Sequence, residues 1–410
     1  MTNMKIDDKT SHNSPSLRFP EFTGEWEKCK VSDLLDFYPT NSLSWDKLEY
    51  GTNAIQNLHY GLIHVGLPTM VDLSKDKLPN VVNGNTPKNY ELCQEGDVAF
   101  ADASEDTNEV AKAVEFYNLN GNKAICGLHT IHGRDNHQRT IVGYKGYAFS
   151  SISFHHQIRR IAQGTKIYSI NCKNFSECYV GIPSKEEQSK IATLLRLIDE
   201  RIAVQSRLIE DLKKLSCAIV EKMFKQSKTN GRLGDFIEQV SVRNKNGLYS
   251  NVLSVSNKQG FVKQSEQFED RTVASEDTSN YKIVKRNNFA YNPARINVGS
   301  IARLTKFDVG IVSPMYVCFR TKDGIIPEYM EAFFTSQQFF YEMMKRLEGS
   351  VRLCLSYEGL CNIPVYIPNM NKQIVMGQNI SLILSKIGLE IEYLGRLHQQ
   401  KQYLLRKMFI

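Results

Sequence analysis

Three histidines in one short stretch come nearest to an enzyme's active site in residue type and spacing. His129, His132 and His137 lie close together, and imidazole nitrogens bind the divalent ions that hydrolyse phosphodiesters. Their spacing fits neither a helical nor a hairpin pattern of metal ligands, and the second half of the chain has no counterpart. The stretch favours a solvated or DNA-facing loop, and a nuclease or metal site stays open as an alternative.

An acidic run just before the histidines offers a second possible metal site, at Asp102, Glu105, Asp106 and Glu109. Such a run is more typical of a solvated loop. The sequence has no G-x-x-x-x-G-K-[ST], no H-E-x-x-H and no G-x-S-x-G. The tetrapeptide 292–295, Asn-Pro-Ala-Arg, lacks the second proline and the aromatic residue of amino-methyltransferase motifs. No catalytic residue and no metal ligand is assigned.

Composition restricts the class of protein further. At roughly 150 residues per domain, 410 residues suggest two or three domains. The nine cysteines include no C-x-x-C pair, which argues against a disulfide framework or a zinc ribbon. No apolar run approaches the roughly 18 to 20 residues of a membrane span, so we expect a cytoplasmic protein without membrane contact. The net charge of +7, from 51 basic and 44 acidic residues, permits a polyanionic partner.

Basic and amide side chains recur at similar places in the two halves of the chain. In each half a basic pair stands about five residues before a turn that carries a glycine, a hydroxyl side chain and another cation. Such a turn can bind phosphate, and Arg, Asn and Tyr can contact base edges. The alternative is a solvated basic helix end. The candidate DNA-binding residues are Arg159, Arg160, Thr165, Lys166, Tyr291, Asn292, Arg295, Asn297, Arg346, Ser350 and Arg352.

These residues must be positioned by a duplicated framework. Ile182-Pro183 begins a segment that ends in Lys222-Met223-Phe224, and the same residue types recur at 367–368 and 407–409. The offset is the same at both ends of the segment, so the repeat contains no gap. Upstream of the segments the register slips to larger offsets. Each half is therefore a variable body followed by a better-matched tail.

Both tails are predicted to form long helices. Apolar residues recur at alternating steps of three and four, which is typical of a coiled coil. One polar pair interrupts each seam at the same repeat positions, Gln205 with Ser216 and Glu390 with Lys401. An antiparallel pairing of the two helices would cover both seams, and packing of each helix on its own body is the alternative. The predicted seam residues are Leu195, Ile198, Ile202, Ile209, Leu212, Ile219, Ile380, Ile383, Ile387, Leu394, Leu397 and Leu404.

The bodies have the pattern of mixed α/β domains. Short apolar runs alternate with Gly, Asn and Asp, and one helix is predicted over Pro327 to Leu347. The fold class is α+β: two mixed α/β domains separated by two long helices that pair as an antiparallel coiled coil, with an internal pseudo-twofold repeat. The predicted segments are a disordered tail at 1–16, a domain at 17–183, a helix at 184–225, a linker at 226–231, a domain at 232–368 and a helix at 369–410.

This arrangement resembles the specificity (S) subunit of type I restriction–modification systems. The residues that carry the resemblance lie at four places along the chain. They are the segment 17–22 (Leu-Arg-Phe-Pro-Glu-Phe) with Trp26, the turn Gly164-Thr165-Lys166, the helix start Ile182-Pro183 with Glu187-Gln188, and Asp199-Glu200-Arg201-Ile202.

The resemblance implies a non-catalytic, cytoplasmic subunit of a methyltransferase and endonuclease complex. Its two target recognition domains would each read one half of an interrupted site in double-stranded DNA, and the helices would set the gap. It would dock two modification (methyltransferase) subunits that use S-adenosylmethionine and recruit restriction (translocase-nuclease) subunits that use ATP and Mg. No cofactor is expected on this chain itself.

The second helix start departs from the family pattern, because Lys372 stands where the family has Glu. We expect this change to weaken the helix cap. Two other classes compete with the resemblance: a self-sufficient nuclease that uses the histidine stretch, and a coiled-coil scaffold that binds no nucleic acid.

Overall fold

The computed structural model divides the chain into two compact units. Unit 1 comprises the residues up to Gln205 together with Tyr393–Ile410, and unit 2 comprises Ser206–Glu392. Of the predicted tail, residues 1–12 lie outside the described residues, as do positions 226 and 227 of the predicted linker. The structure describes residues 13–52, 54–225, 228–257, 259–267, 277–350 and 352–410.

Unit 1 has the predicted mixed α/β content. Its strands are β1 (Glu27–Lys30), β2 (Asp36–Tyr38), β3 (Leu48–Glu49), β4 (Gln56–Leu58), β5 (Met70–Asp72), β6 (Asn80–Val81), β7 (Val98–Ala101), β8 (Ala103–Ser104), β9 (Ala113–Asn118), β10 (Ala124–Cys126), β11 (Thr130–Arg134), β12 (Tyr168–Ser169) and β13 (Tyr179–Ile182). Its helices are α1 (Val31–Leu34), α2 (Tyr60–His64), α3 (Lys145–Phe149), α4 (Ile152–Ile161), α5 (Cys172–Ser176) and the first part of α6 (Lys185–Phe224). A five-stranded sheet in the order β2-β11-β7-β9-β5 and a four-stranded sheet in the order β10-β4-β6-β3 form the body.

Unit 2 is built in a similar way. Its strands are β14 (Gly231–Arg232), β15 (Ile237–Gln239), β16 (Val252–Ser256), β17 (Gly260–Lys263), β18 (Lys282–Lys285), β19 (Phe289–Tyr291), β20 (Ile301–Arg303), β21 (Val309–Val312), β22 (Val317–Thr321) and β23 (Pro364–Val365). Its helices are α7 (Leu233–Phe236), α8 (Gln264–Gln267), α9 (Pro327–Phe334), α10 (Gln337–Met344), α11 (Tyr357–Cys361) and the first part of α12 (Met370–Lys407). Its two larger sheets have four strands each, in the orders β15-β22-β19-β20 and β17-β16-β21-β18.

The two long helices supply core residues to both units. In unit 1, Leu195 of α6 and Leu404 of α12 belong to one hydrophobic core. In unit 2, Val220 of α6 and Ile380 of α12 do the same. Every predicted seam residue is buried or half-buried. By length and composition alone, α12 is apolar enough to span a membrane. The search of the sequence for long apolar runs did not detect this. The apolar side chains Ile380 and Leu404 of α12 nevertheless lie in the two hydrophobic cores.

A buried glutamine joins the start of each long helix to its body. Gln188 donates to Pro183 O at 2.9 Å and Arg139 O at 3.2 Å, and its Oε1 accepts from Ile141 N at 2.9 Å. Gln373 makes the same three bonds at the equivalent place in unit 2, with Pro368 O at 3.0 Å, Gly324 O at 3.2 Å and Ile326 N at 2.9 Å. Gln188 is 0% and Gln373 2% exposed. The constant offset of the repeat therefore extends upstream of the helices, into loops in which Ile141 matches Ile326 but Arg139 stands where unit 2 has Gly324.

A tyrosine and a phenylalanine close the core of each unit in the same way. Tyr144 donates its hydroxyl hydrogen to Gly181 O at 2.7 Å, and its ring lies 6.0 Å from Phe409. In unit 2, Tyr329 donates to Tyr366 O, and its ring lies 5.5 Å from Phe224. Phe409, from the second half of the sequence, thus packs on Tyr144 of the first half, and Phe224, from the first half, packs on Tyr329 of the second.

The predicted helix over Pro327 to Leu347 is wrong, because the structure has two helices there. The chain leaves α9 after Phe334, and Ser336 accepts from Phe339 N at 3.1 Å as the N-cap of α10. Ser151 caps α4 in the same way, with Phe154 N at 3.3 Å. A capping serine accepts a hydrogen bond from a backbone N–H in the first turn of its helix, so a new helix begins after it. Ser151 and Ser336 occupy the same position of the repeat, so the two halves of the sequence together indicate the break.

The expected weakness of the second long-helix cap is also corrected. Asn369 Oδ1 accepts from Lys372 N at 3.1 Å, so the cap is supplied by the asparagine. In the first long helix Ser184 accepts from Glu187 N at 3.3 Å. The Glu187 carboxylate is instead used in an ion pair with Arg18, at 2.6 and 2.7 Å. The acid therefore fastens the N-terminal segment, and its loss in unit 2 leaves the cap intact.

We expect Gln188→Leu to destabilise unit 1. The leucine has similar size but leaves the half-buried Ile141 N–H without an acceptor, which costs about 1 kcal/mol. The measurement is urea unfolding followed by tryptophan fluorescence, because both tryptophans, Trp26 and Trp45, lie in unit 1. Gln399→Leu, at an exposed position of the same unit, is the matched control. Equal unfolding midpoints for the two variants would show that the glutamine bonds contribute nothing.

Candidate nucleic-acid interface

The two predicted phosphate-binding turns are hairpins of the same backbone geometry. Gln163 and Ser169 exchange both backbone hydrogen bonds, at 2.9 and 2.8 Å, and Glu348 and Cys354 do so at 2.9 and 2.8 Å. The glycine after each first residue has a positive φ, +134° at Gly164 and +118° at its counterpart 349. A Cβ there would lie 1.9 Å and 2.3 Å, respectively, from a carbonyl oxygen across the turn. Only glycine fits this position in either hairpin.

The side chains at the hairpin tips differ between the units. Thr165 and Lys166 are exposed in unit 1, and Ser350 and Arg352 are exposed in unit 2. Thr165 and Ser350 occupy the same position of the repeat. Arg352, however, corresponds to Ile167, which is 62% exposed, and not to Lys166. The two units therefore present their cations from different places on a common backbone.

The basic pairs before the hairpins have different surroundings. Arg159 and Arg160 are exposed in the last turn of α4, and Arg159 contacts Asn108 Oδ1 at 3.1 Å. Arg346 is half-buried and bonds the Glu342 carboxylate at 2.7 Å. Burial tends to raise the pKa of Glu342, but the hydrogen bonds from the two neighbouring cations hold it below its usual value. Lys345 bonds the same carboxylate at 2.9 Å, so one of the two positive charges of the unit 2 pair is compensated by Glu342. The unit 1 pair has no such acid and is the more available to an anion among the described contacts.

Tyr291 is not a surface residue, and its prediction as a DNA contact is wrong. It is 0% exposed and donates its hydroxyl hydrogen to Leu355 O at 3.2 Å. Burial raises the pKa of this hydroxyl well above its ordinary value. The aromatic type suggested base contact, whereas β19 is buried on both faces and Tyr291 lies in the core with Phe289.

The residues that follow Tyr291 do reach the surface beside the unit 2 hairpin. Leu355 N, just after the hairpin, donates to Pro293 O at 3.1 Å and so joins the two segments. Asn292 is half-buried and Arg295 exposed, and both line a cavity of about 270 Å³ together with hydroxyl and amide groups of β16 and the loop after β21. Asn297, half-buried, lies in the 3-10 turn that follows Arg295. The structure therefore brings the hairpin and the amide–guanidinium segment together.

In unit 1 the corresponding place is taken by the acidic loop. Ile170 N, just after the hairpin, donates to Asp102 O at 2.9 Å, and Tyr168 and Ser169 pair with β8. Arg159 reaches the same loop at Asn108. Sequence reasoning treated this loop as a separate feature. The bond from Ile170 N to Asp102 O is equivalent to the bond from Leu355 N to Pro293 O, so the loop and the segment after β19 occupy equivalent places. The two candidate interfaces thus share one framework, and the segments beside their hairpins differ in charge.

The histidine stretch does not assemble a nuclease site. His129 Nδ1 lies 3.1 Å from Asp102 Oδ1, and His137 is exposed. His132 is 0% exposed, and its Nε2 contacts Asp97 Oδ2 at 2.7 Å. Across the described ranges, neither the three histidines nor the acidic loop forms a group close enough to share an ion; His132 lies instead with Cys93 and Cys126. The nuclease alternative therefore has no supporting geometry in the described residues.

Comparison with solved structures identifies the fold. The chain is similar to the crystal structure of the type I restriction-modification S subunit from M. genitalium, with a TM-score of 0.60 and 16% identity over 97% of this chain and 99% of that one. A chain from a structure on complex assembly and conformational transition of the type I R-M system matches with a TM-score of 0.55 and 12% identity, over 94% and 97%. No protein-family model and no curated protein matches the chain. At these identities the matches establish the fold, and they confirm the resemblance at that level.

We expect Gly164→Ala to open the unit 1 hairpin, because its Cβ would meet the Ile167 carbonyl oxygen. Hydrogen exchange measures the outcome at the amides of Gln163 and Ser169, which should lose protection. Gly121→Ala is the matched control, since Gly121 also has a positive φ, +73°, but has no atom within 4 Å of its Cβ position. Protection that survives in Gly164→Ala would contradict the assigned turn geometry.

Proposed function

We propose that this chain is the DNA-binding specificity subunit of a type I restriction–modification complex. The observation that carries the proposal is the match to an S subunit over 97% of this chain and 99% of that one, because it includes both bodies and both long helices. The paired hairpins support the same conclusion, since each body offers one exposed polar turn in the same frame. The chain acts without catalytic residues of its own, in the cytoplasm.

Each unit is proposed to read one half of an interrupted site in double-stranded DNA. Base contacts contribute about 1–3 kcal/mol of discrimination each, and tethering makes the second half-site contact effectively intramolecular. With Tyr291 removed from the prediction, the proposed contact residues are Arg159, Arg160, Thr165 and Lys166 in unit 1, and Asn292, Arg295, Asn297, Arg346, Ser350 and Arg352 in unit 2.

The long helices are proposed to pair antiparallel as a coiled coil and to set the gap between the half-sites. Contacts within unit 1 support the direction of pairing. Asp199 of α6 forms a 2.6 Å ion pair with Lys401 of α12, and Arg201 lies 5.9 Å from the ring of Tyr393. Going from Asp199 to Arg201 along α6, the contact on α12 moves back from Lys401 to Tyr393, as it does between antiparallel helices. The recurrence of the glutamine, tyrosine and hairpin bonds at equivalent places in both halves supports the proposed pseudo-twofold repeat.

The partners follow from the same proposal. Two modification subunits that bind S-adenosylmethionine would dock on this chain, and restriction subunits that use ATP and Mg would join them. The exposed apolar side chains of the helices offer candidate docking positions, for example Leu197 at 52% exposure and Leu382 at 69%, which occupy the same position of the repeat. A pair of equivalent positions is suited to two copies of one partner.

We expect insertion of one heptad into both helices, at matched positions, to change the spacing of the recognised site. Seven residues lengthen a helix by about 10 Å, which is roughly three base pairs at about 3.4 Å each, while the apolar seam keeps its phase. In a complex with the modification subunits, methylation of the original site should be lost, and any new site should have a longer gap.

The control is Lys213→Ala, an exposed change on α6 that leaves its length unaltered; it should keep the original site. Methylation of the original site at an unchanged rate by the lengthened protein would refute the role of the helices in setting the gap.

A further inference from the structure

The interior of unit 1 contains a cluster of two thiols and an imidazole. Cys126 ends β10, Cys93 lies beside that strand, and His132 is central in β11. The three side chains are 5%, 1% and 0% exposed for Cys93, Cys126 and His132. The two sulfurs are 3.7 Å apart, and all three ligand atoms lie within 4.8 Å of one another. Across the described ranges this is the one group of His, Cys, Asp and Glu side chains close enough to share an ion.

One ring nitrogen of His132 has no hydrogen-bond partner. Its Nε2 contacts Asp97 Oδ2 at 2.7 Å, and its Nδ1 is buried without a hydrogen-bond partner. Asp97 is fixed in turn by Arg134, at 2.9 Å to each oxygen, and by Gln94 N at 2.8 Å. A carboxylate that accepts the Nε2 hydrogen leaves the Nδ1 lone pair free, and this arrangement accompanies most histidines that bind metals.

We propose that Cys93, Cys126 and His132 bind one zinc ion through both sulfurs and the Nδ1 atom. Zn–S bonds of about 2.3 Å in a tetrahedral site separate two sulfurs by about 3.8 Å, close to the 3.7 Å observed. Binding releases the two thiol protons to solvent. Three protein ligands leave one position of the tetrahedron for a water molecule.

The charge balance of the site selects a divalent ion. Two thiolates and Zn²⁺ sum to zero beside a neutral imidazole, and the buried Asp97 carboxylate is compensated by Arg134. The other acid on Arg134, Glu91, is 35% exposed and therefore hydrated. A monovalent ion such as Cu(I), which also favours thiolates, would leave one buried negative charge uncompensated.

The site would stabilise the interior of unit 1, because all three ligand side chains are buried, and it does not rest on the proposed DNA-binding role. It would join β10, β11 and the segment before β7 in the interior of one unit. The sequence placed His132 in a possible metal site with His129 and His137 but assigned no ligand, and it did not connect His132 with the two cysteines, because these three residues match no C-x-x-C or zinc-ribbon spacing. The strands bring them together from positions 93, 126 and 132.

The test is metal analysis of the full-length chain, purified under reducing conditions and dialysed against a weak chelator. The wild type should retain one zinc per chain. Cys126→Ala and Cys93→Ala should each retain less than about a tenth of that. Cys318→Ala is the matched control, because this thiol is equally buried, at 0% exposure, but lies in unit 2 away from the cluster. It should keep the full zinc content.

Cobalt substitution of the wild type keeps the test independent of how the variants fold. Co²⁺ in this site should show thiolate charge-transfer absorption and the strong visible bands of tetrahedral coordination. Asp97→Asn should weaken cobalt affinity about 10- to 100-fold. A folded wild type that retains no zinc and gives only the spectrum of hydrated cobalt would overturn the proposal. So would a Cys93–Cys126 disulfide in chain purified under reducing conditions.

Discussion

The buried glutamine at the start of each long helix is the interaction on which the rest of the structure depends. Its amide bonds the Pro183 carbonyl, just before the helix, and the Arg139 carbonyl and Ile141 N–H of a loop in the body. These bonds fix the first turn of the helix against that loop. Gln373 repeats the arrangement bond for bond. Each body therefore has a fixed relation to the helix that follows it, which a protein that measures spacing would need.

On this fixed frame the two bodies carry different chemistry. The hairpins share a glycine that no other residue can replace, yet their tips present Lys166 in one unit and Arg352 in the other. The segment beside the hairpin is acidic in unit 1 and rich in amide and guanidinium groups in unit 2. Two bodies with equivalent hairpins and different tip residues would suit the proposed reading of two unlike half-sites. The framework and the proposed contacts are carried by different residues of this chain.

The sequence predicted the framework well and the surfaces poorly, for physical reasons. A repeat at constant spacing and a seam of steps of three and four residues are one-dimensional signals, and the helices begin and end close to where those signals do. The prediction of a single helix over 327–347 was wrong because apolar residues continue on both sides of Ser336, and the N-cap at that serine was overlooked. The prediction for Tyr291 was wrong because its residue type was weighed above its place in an apolar strand that is buried on both faces. The cluster at His132 was missed because three separate segments supply it, which no linear spacing reveals.

The measurement that tests the central claim most directly is a map of methylated adenines. The chain would be produced together with the type I modification subunits in cells that lack other adenine methylation. The account predicts methylation at one interrupted motif, with two specific parts separated by a fixed number of unspecified base pairs. A continuous motif, or methylation that does not depend on this chain, would contradict it.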